Sequence, residues 1–152
     1  MRILIATAVG LTFATQAFAM DIVTGANEVK WAPAPASIMP PGAQIAIMSG
    51  DPTKPGPFVM RLKFPANYQI PAHKHPTDEQ VTVLSGKVGV GMGDKMNKAA
   101  GTTMTTGGFA SLPGNMNHYV WSVSPSIVQV AATGPFTTIY ANPADAPGAQ
   151  KK

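Results

Sequence analysis

Three histidines and one glutamate carry the chemistry legible in this 152-residue chain. His73 and His75 are separated by Lys74 alone, so on an extended strand both imidazoles point to the same face. Glu79 follows the turn-forming stretch Pro76-Thr77-Asp78, which can bring the next strand back beside the first. Placing Glu79 inward also places Val81 and Val83 inward, the pattern of a strand with one apolar face. His118 stands just past Pro113-Gly114-Asn115, a turn that would open its own strand. Three neutral imidazoles and one carboxylate bind a divalent transition metal and leave coordination positions open. An isolated histidine in a β core is usually a hydrogen-bonded structural residue, so the assignment rests on the four residues together.

Other catalytic arrangements are missing. Cysteine is absent, which removes thiolate chemistry and any disulfide framework. No G-x-S-x-G nucleophile turn occurs. Beyond Glu79, the acids Asp21, Glu28, Asp51, Asp78, Asp94 and Asp145 make no paired-carboxylate site of the hydrolase kind. Catalysis would therefore rest on the metal, with Tyr68, Asp78 and Gln80 as the nearby side chains able to assist.

The elements that must position these residues read as short strands. With 15 Gly and 15 Pro, but 45% hydrophobic and only 12% charged residues, the chain can fill a core yet has little room for long helices. Phe58 to Phe64 alternates, with Phe58, Met60, Leu62 and Phe64 on one face and Val59, Arg61 and Lys63 on the other. Ala43 to Met48 precedes it, and Gln80–Leu84 and Lys87–Met92 flank the hairpin turn Ser85-Gly86. Gly108–Leu112, His118–Val123, Ile127–Ala132 and Phe136–Tyr140 complete about eight strands, an all-β sandwich or barrel. Asp94 to Thr106 reads as a helical turn or a loop.

The segment His73-Lys74-His75-Pro76-Thr77-Asp78-Glu79, with Gly86 seven positions after the glutamate, resembles the first motif of the cupins, G-x5-H-x-H-x3/4-E-x6-G. Gly107-x5-Pro113-Gly114-Asn115-Met116-Asn117-His118 resembles the second, G-x5-P-x-G-x2-H-x3-N. Asn67, Asn115 and Ser122 depart from the pattern, standing where Gly, Gly and Asn are expected. Both Asn replacements suit positions that need a left-handed backbone. The resemblance implies a double-stranded β-helix (a jelly-roll barrel), often dimeric, holding one divalent metal on His73, His75, Glu79 and His118. Cu, Zn, Mn, Fe, Co and Ni all suit that donor set.

Strand parity then makes the metal's surroundings apolar, with Phe58, Met60, Val81, Val90, Met92 and Val120 as pocket-lining residues, while Arg61, Lys63 and Lys74 point outward. Such a pocket suits a small apolar or oxygenated molecule, as in the dioxygenases and lyases of the resembled family. It argues against that family's sugar-nucleotide epimerases, which need inward cations. A non-catalytic metal or small-ligand binding protein, or a metal-dependent lyase or isomerase, is the alternative. Met92, Met96, Met104 and Met116 follow no copper-motif spacing and read as packing. Tyr119 and Trp121 lie opposite His118 in parity, to be covered by a loop, by the N-terminal arm or by a second subunit of a homodimer.

Residues 1–19 read as a signal peptide: Arg2, the apolar run Ile3–Phe13, and Ala17-Phe18-Ala19, with cleavage after Ala19. That run is too short for a bilayer span, so the expected location is periplasmic or secreted, without membrane insertion after cleavage. Residues 20–42 form a Pro-rich arm, 43–140 the cupin-like domain and 141–152 a flexible tail. The net charge of +4 comes from scattered cations, so a small-molecule ligand is expected rather than nucleic acid.

Overall fold

The computed structural model describes residues 23–149. The expected signal peptide, its expected cleavage site after Ala19 and the final lysine pair lie outside that range.

Eleven strands follow in order: β1 (Ala32–Pro33), β2 (Gln44–Ser49), β3 (Gly56–Phe64), β4 (Gln69–Lys74), β5 (Glu79–Ser85), β6 (Lys87–Met92), β7 (Thr102–Thr105), β8 (Phe109–Leu112), β9 (His118–Ser122), β10 (Ser126–Gly134) and β11 (Ile139–Tyr140). They form two antiparallel sheets, ordered β1-β2-β3-β10-β5-β8 and β11-β4-β9-β6-β7, the two walls of a jelly-roll barrel. The alternation of β3 holds: Phe58, Met60, Leu62 and Phe64 are buried, and Val59, Arg61 and Lys63 are only partly covered. β10 lies between β3 and β5, running from Ser126 opposite Phe64 to Gly134 opposite Gly56. Its Val128 and Val130 meet Val81 and Val83 from β5 and Val88 from β6 in one core cluster. Each such fully buried aliphatic contributes roughly 1.5–3 kcal/mol relative to exposure.

Three expectations need correction. The expected strands omit two: β4, which carries His73, and the edge strand β7, whose Thr-rich sequence carries no apolar alternation and which follows the anticipated helical turn of Asp94–Thr106, a 3-10 turn at Lys98–Ala100. Phe136–Tyr140 is a strand only at Ile139–Tyr140. The tail is tied down within its described part: Ala141 donates its N–H to Ala72, and Asn142 caps a 3-10 turn at Pro143–Asp145.

Tyr119 and Trp121 do lie outside the barrel, but the chain itself covers them. Both are buried with Ala72 in a second cluster, against Met96 and Ala141. Tyr119 Oη donates to the Asn97 carbonyl at 2.8 Å. Their rings lie across Gly89 and Gly91 of β6, where an added Cβ would come within 2.1 Å of Trp121 and 2.3 Å of Tyr119. Of the covers expected for this pair, the structure thus shows the loop, seated with the help of two glycines.

The Pro-rich arm also stays on its own barrel. β1 pairs with β2, Ala34 N–H donates to Ala43, and the hydroxyls of Tyr68 and Tyr140 donate to the carbonyls of Pro40 and Ile38.

Candidate metal centre

A single backbone irregularity aims the first ligand. In β4, Ile70 packs in the barrel core while Ala72 belongs to the outer cluster, and a register shift against β9 falls between Ile70 and His73. Bulges re-aim side chains in this way, and here the shift turns His73 inward, opposite His118. His75 follows just beyond the end of β4, Glu79 opens β5 and His118 opens β9. Asp78 and Asn115 hold the two intervening turns together: Asp78 Oδ1 accepts from Gly114 N–H at 2.8 Å, and Asn115 N–H donates to the His75 carbonyl at 2.7 Å. Asn67 and Asn115 have φ of 61° and 62°, the left-handed backbone anticipated for them. Ser122, the third departure, accepts from Tyr68 N–H at 2.9 Å and donates to the Pro65 carbonyl at 2.6 Å, fixing the turn into β4.

The three imidazoles present ligand atoms within 4.8 Å of one another, and all three rings are buried. Glu79 Oε2 lies 3.6 Å from His75 Nε2 and 3.3 Å from His118 Nε2. Each Nδ1 faces a backbone carbonyl: His73 that of Pro71 (2.7 Å), His75 that of Thr137 (2.8 Å) and His118 that of Met116 (3.2 Å). A carbonyl only accepts, so each Nδ1 carries the hydrogen and each neutral ring turns an Nε2 lone pair toward the others. His118 Nε2 is buried and, despite the nearby Glu79 oxygen, makes no hydrogen bond. Lone pairs and a carboxylate facing one another away from water require a cation between them.

The electrostatics keep the set ready to ligate. Burial, reinforced by the neighbouring His118 and His75, pushes His73 down to about 3. Burial lowers His75 as well, against the opposing pull of Glu79. For Glu79 burial alone would raise the carboxyl, but a hydrogen bond from His118 and the coulombic pull of His75, His118 and His73, both present only when those rings carry a second proton, outweigh it and hold the group below its ordinary value. The residues therefore fit a divalent transition metal: deprotonated nitrogens, an ionised carboxylate and an orphaned buried acceptor.

His73, His75 and Glu79 line a cavity of about 380 Å³ with largely apolar walls, which His118 does not reach. Met60, Val81 and Val120 line it as parity suggests. Phe58 and Val90 are buried in the core but do not reach the cavity. Phe136 lines it instead, with Phe58 packed edge-on against that ring at 5.2 Å. Met92 is a correction: it is 44% exposed, because parity sets the side a residue faces and not its depth, and β6 ends there. The assisting candidates are engaged elsewhere. Tyr68 holds the arm, Asp78 holds a turn and Gln80 is exposed.

Several site residues carried no signal in the sequence. Phe136 stacks on His75 at 3.9 Å between ring centroids, and Tyr140 tilts against His73 at 5.9 Å. Pro35, Ser37, Ile38 and Met39 of the arm line the cavity. Nothing in an irregular Pro-rich stretch or a lone Phe marks such a role; only the crossing of distant segments does.

No protein-family model matches the chain, and a search of curated proteins gives no match either. Solved structures do match. A polyketide cyclase, RemF from Streptomyces resistomycificus, aligns with a TM-score of 0.67 at 15% identity, covering 84% of this chain and 90% of that one. A proposed acetylacetone dioxygenase from Methylibium petroleiphilum gives 0.62 at 19%, covering 95% and 90%. An RmlC-like cupin from Shewanella frigidimarina gives 0.58 at 11%, covering 75% and 91%. The chain has the cupin fold.

Proposed function

We propose that this protein is an exported, metal-dependent cupin acting on a small, largely apolar molecule that bears oxygen, as an oxidoreductase of the dioxygenase kind. One observation carries the reading: three Nε2 atoms, their tautomers set by backbone carbonyls, converge with Glu79, and His73, His75 and Glu79 line an apolar cavity. His73, His75, His118 and Glu79 would hold the metal. A divalent transition metal there would supply Lewis acidity or, if redox-active, a centre for oxygen chemistry.

The chain's own contribution is binding, orientation and exclusion of water. The cavity falls at the small end of the ~300–1,000 Å³ usual for small-molecule sites. Its apolar walls take the body of the ligand, and Ser37 and Thr138 are the uncharged polar residues of the lining besides Thr53, whose hydroxyl donates to Asp51. The likeness to a proposed acetylacetone dioxygenase over nearly the whole chain supports a diketone-like substrate class. Export rests on the leader sequence, and folding outside the cytoplasm would expose the site to Cu and Zn, which the Irving–Williams order favours over Mn and Fe.

A second reading, a non-catalytic metal or small-ligand binding protein, is favoured by one observation. Among the described residues lining the cavity, the titratable side chains are His73, His75 and Glu79, all of the proposed ligand set.

Elemental analysis of periplasm-purified protein beside His73→Ala/His118→Ala tests the site, with about one metal per chain expected in the wild type and none in the variant. Stoichiometric Mn or Fe would overturn the Cu or Zn assignment. Turnover of a diketone, phenol and thiol panel, lost in His75→Ala, separates the enzyme from the binding protein.

A further inference from the structure

The N-terminal arm forms a wall of the cavity that the two cupin-like motifs do not encode. Pro35, Ser37, Ile38 and Met39 line the same space as His73, His75 and Glu79. The arm is built into the domain rather than lying loosely on it. Ala32 and Pro33 pair with Ile45 and Gln44, and Ala34 N–H donates to the Ala43 carbonyl at 3.0 Å. Beyond them the chain closes a turn on itself, with the N–H groups of Ile38 and Met39 both directed at the Pro35 carbonyl. Met39 is buried in the barrel core.

Two tyrosines then fasten the turn from the barrel side. Tyr68 donates its hydroxyl to the Pro40 carbonyl, and Tyr140 donates to the Ile38 carbonyl at 3.1 Å. Tyr140 is also the strand partner of His73, its ring tilted against that imidazole. One side chain thus touches both a proposed ligand and the backbone of the residue that closes the cavity.

We propose that Ile38 and Met39 are specificity-determining residues, setting the largest molecule that fits beside the metal-binding side chains, and that Tyr140 is the positioning residue that holds them there. The proposal rests on the cavity reading above and deepens it: the ligand is a short, mostly apolar molecule with an oxygen function at the end facing His73, His75 and Glu79. A longer tail would meet Ile38 and Met39, whose backbone is held by the Tyr140 hydroxyl on the Ile38 carbonyl and the Tyr68 hydroxyl on the Pro40 carbonyl.

The test is binding of a series of 4-n-alkylphenols, methyl upward, measured by calorimetry on protein whose metal content is determined in the same sample. Wild type is expected to show a sharp chain-length cutoff. Ile38→Ala and Met39→Ala should each move it, with a gain of about fourfold for the first homologue the wild type rejects, the worth of one further buried methylene. Tyr140→Phe keeps the ring beside His73 and removes only the hydroxyl, so it should blur the cutoff while leaving metal content unchanged. That conservative variant keeps the test decisive if either alanine variant folds poorly. The same cutoff in wild type and Tyr140→Phe, and in each folded alanine variant, overturns the proposal. So does wild type that holds metal but binds no phenol, although the metal reading then survives. A cutoff that moves in protein without metal supports the arm's role and removes the metal reading instead.

Discussion

His118 Nε2 and Glu79 Oε2 face each other at 3.3 Å with no hydrogen bond between them, both side chains buried. His118 already spends its Nδ1 hydrogen on the Met116 carbonyl, so a neutral ring leaves two acceptors in contact. A cation between them, a second proton on the ring or a metal, relieves the repulsion.

Glu79→Gln separates these demands. The amide can donate to His118 Nε2, so the metal-free variant should be more stable than metal-free wild type by about 1 kcal/mol. Its metal affinity should fall by more than the ~100-fold typical of an outer-shell loss. Denaturant unfolding with and without metal checks both, and a variant that is destabilised yet still binds tightly contradicts the arrangement.

Acid should unfold the metal-free protein early. His73 sits near 3 when folded and about 6.5 when unfolded, so between those values the unfolded chain binds a proton the folded one refuses. Stability is therefore fully present above about pH 6.5 and declines as pH falls toward 3, by up to ~1.4 kcal/mol per unit from this group. His75 acts in the same direction, and Glu79 adds to the loss below its ordinary range. Thermal melts at about pH 7.5 and about pH 5 should show a clearly lower Tm in acid; an unchanged Tm would refute the burial of neutral imidazoles.

Phe136→Ala removes the ring stacked on His75 and half of the Phe58 pair. The aromatic contacts are worth ~0.5–1.5 kcal/mol beyond area, and the imidazole loses its lateral support. A lower Tm and a metal affinity reduced about tenfold are expected, measured by competition with a chromogenic chelator.

Gly91→Ala drives a methyl to within 2.3 Å of the Tyr119 ring, which is 1% exposed and fastened through its hydroxyl to Asn97. The ring cannot yield, so the change should cost ~1–3 kcal/mol or more by chemical denaturation. Little or no loss would mean that Tyr119 is free to move, contrary to its packing.

Ser122→Ala leaves the buried Tyr68 N–H without its acceptor and the Pro65 carbonyl without that donor. A loss of ~1–3 kcal/mol is expected. The same measurement on Asn67→Gly and Asn67→Ala separates backbone from side chain: glycine should be nearly neutral at φ 61°, whereas alanine should cost ~1–2 kcal/mol.

The positions of most strands and the inward face of β3 and β5 were legible in the sequence, and likeness to the cupin motifs singled out His73, His75, Glu79 and His118; β4 and β7 were not legible. Period-2 alternation, turn residues and side-chain chemistry are local properties that the chain carries wherever it folds. Even so, alternation alone does not aim His73 inward, since Ile70, three residues earlier and of opposite parity, shares that face only across the register shift in β4. The tertiary structure decided the rest: Phe136 against His75, the Thr137 carbonyl on His75 Nδ1, the arm as a cavity wall, and the burial of Tyr119 and Trp121 beneath their own loop. These contacts join segments far apart in sequence, through backbone carbonyls and apolar rings whose types announce nothing. Depth is non-local for the same reason: Met92 keeps the parity of Val88 and Val90, but where the barrel ends depends on every strand around it.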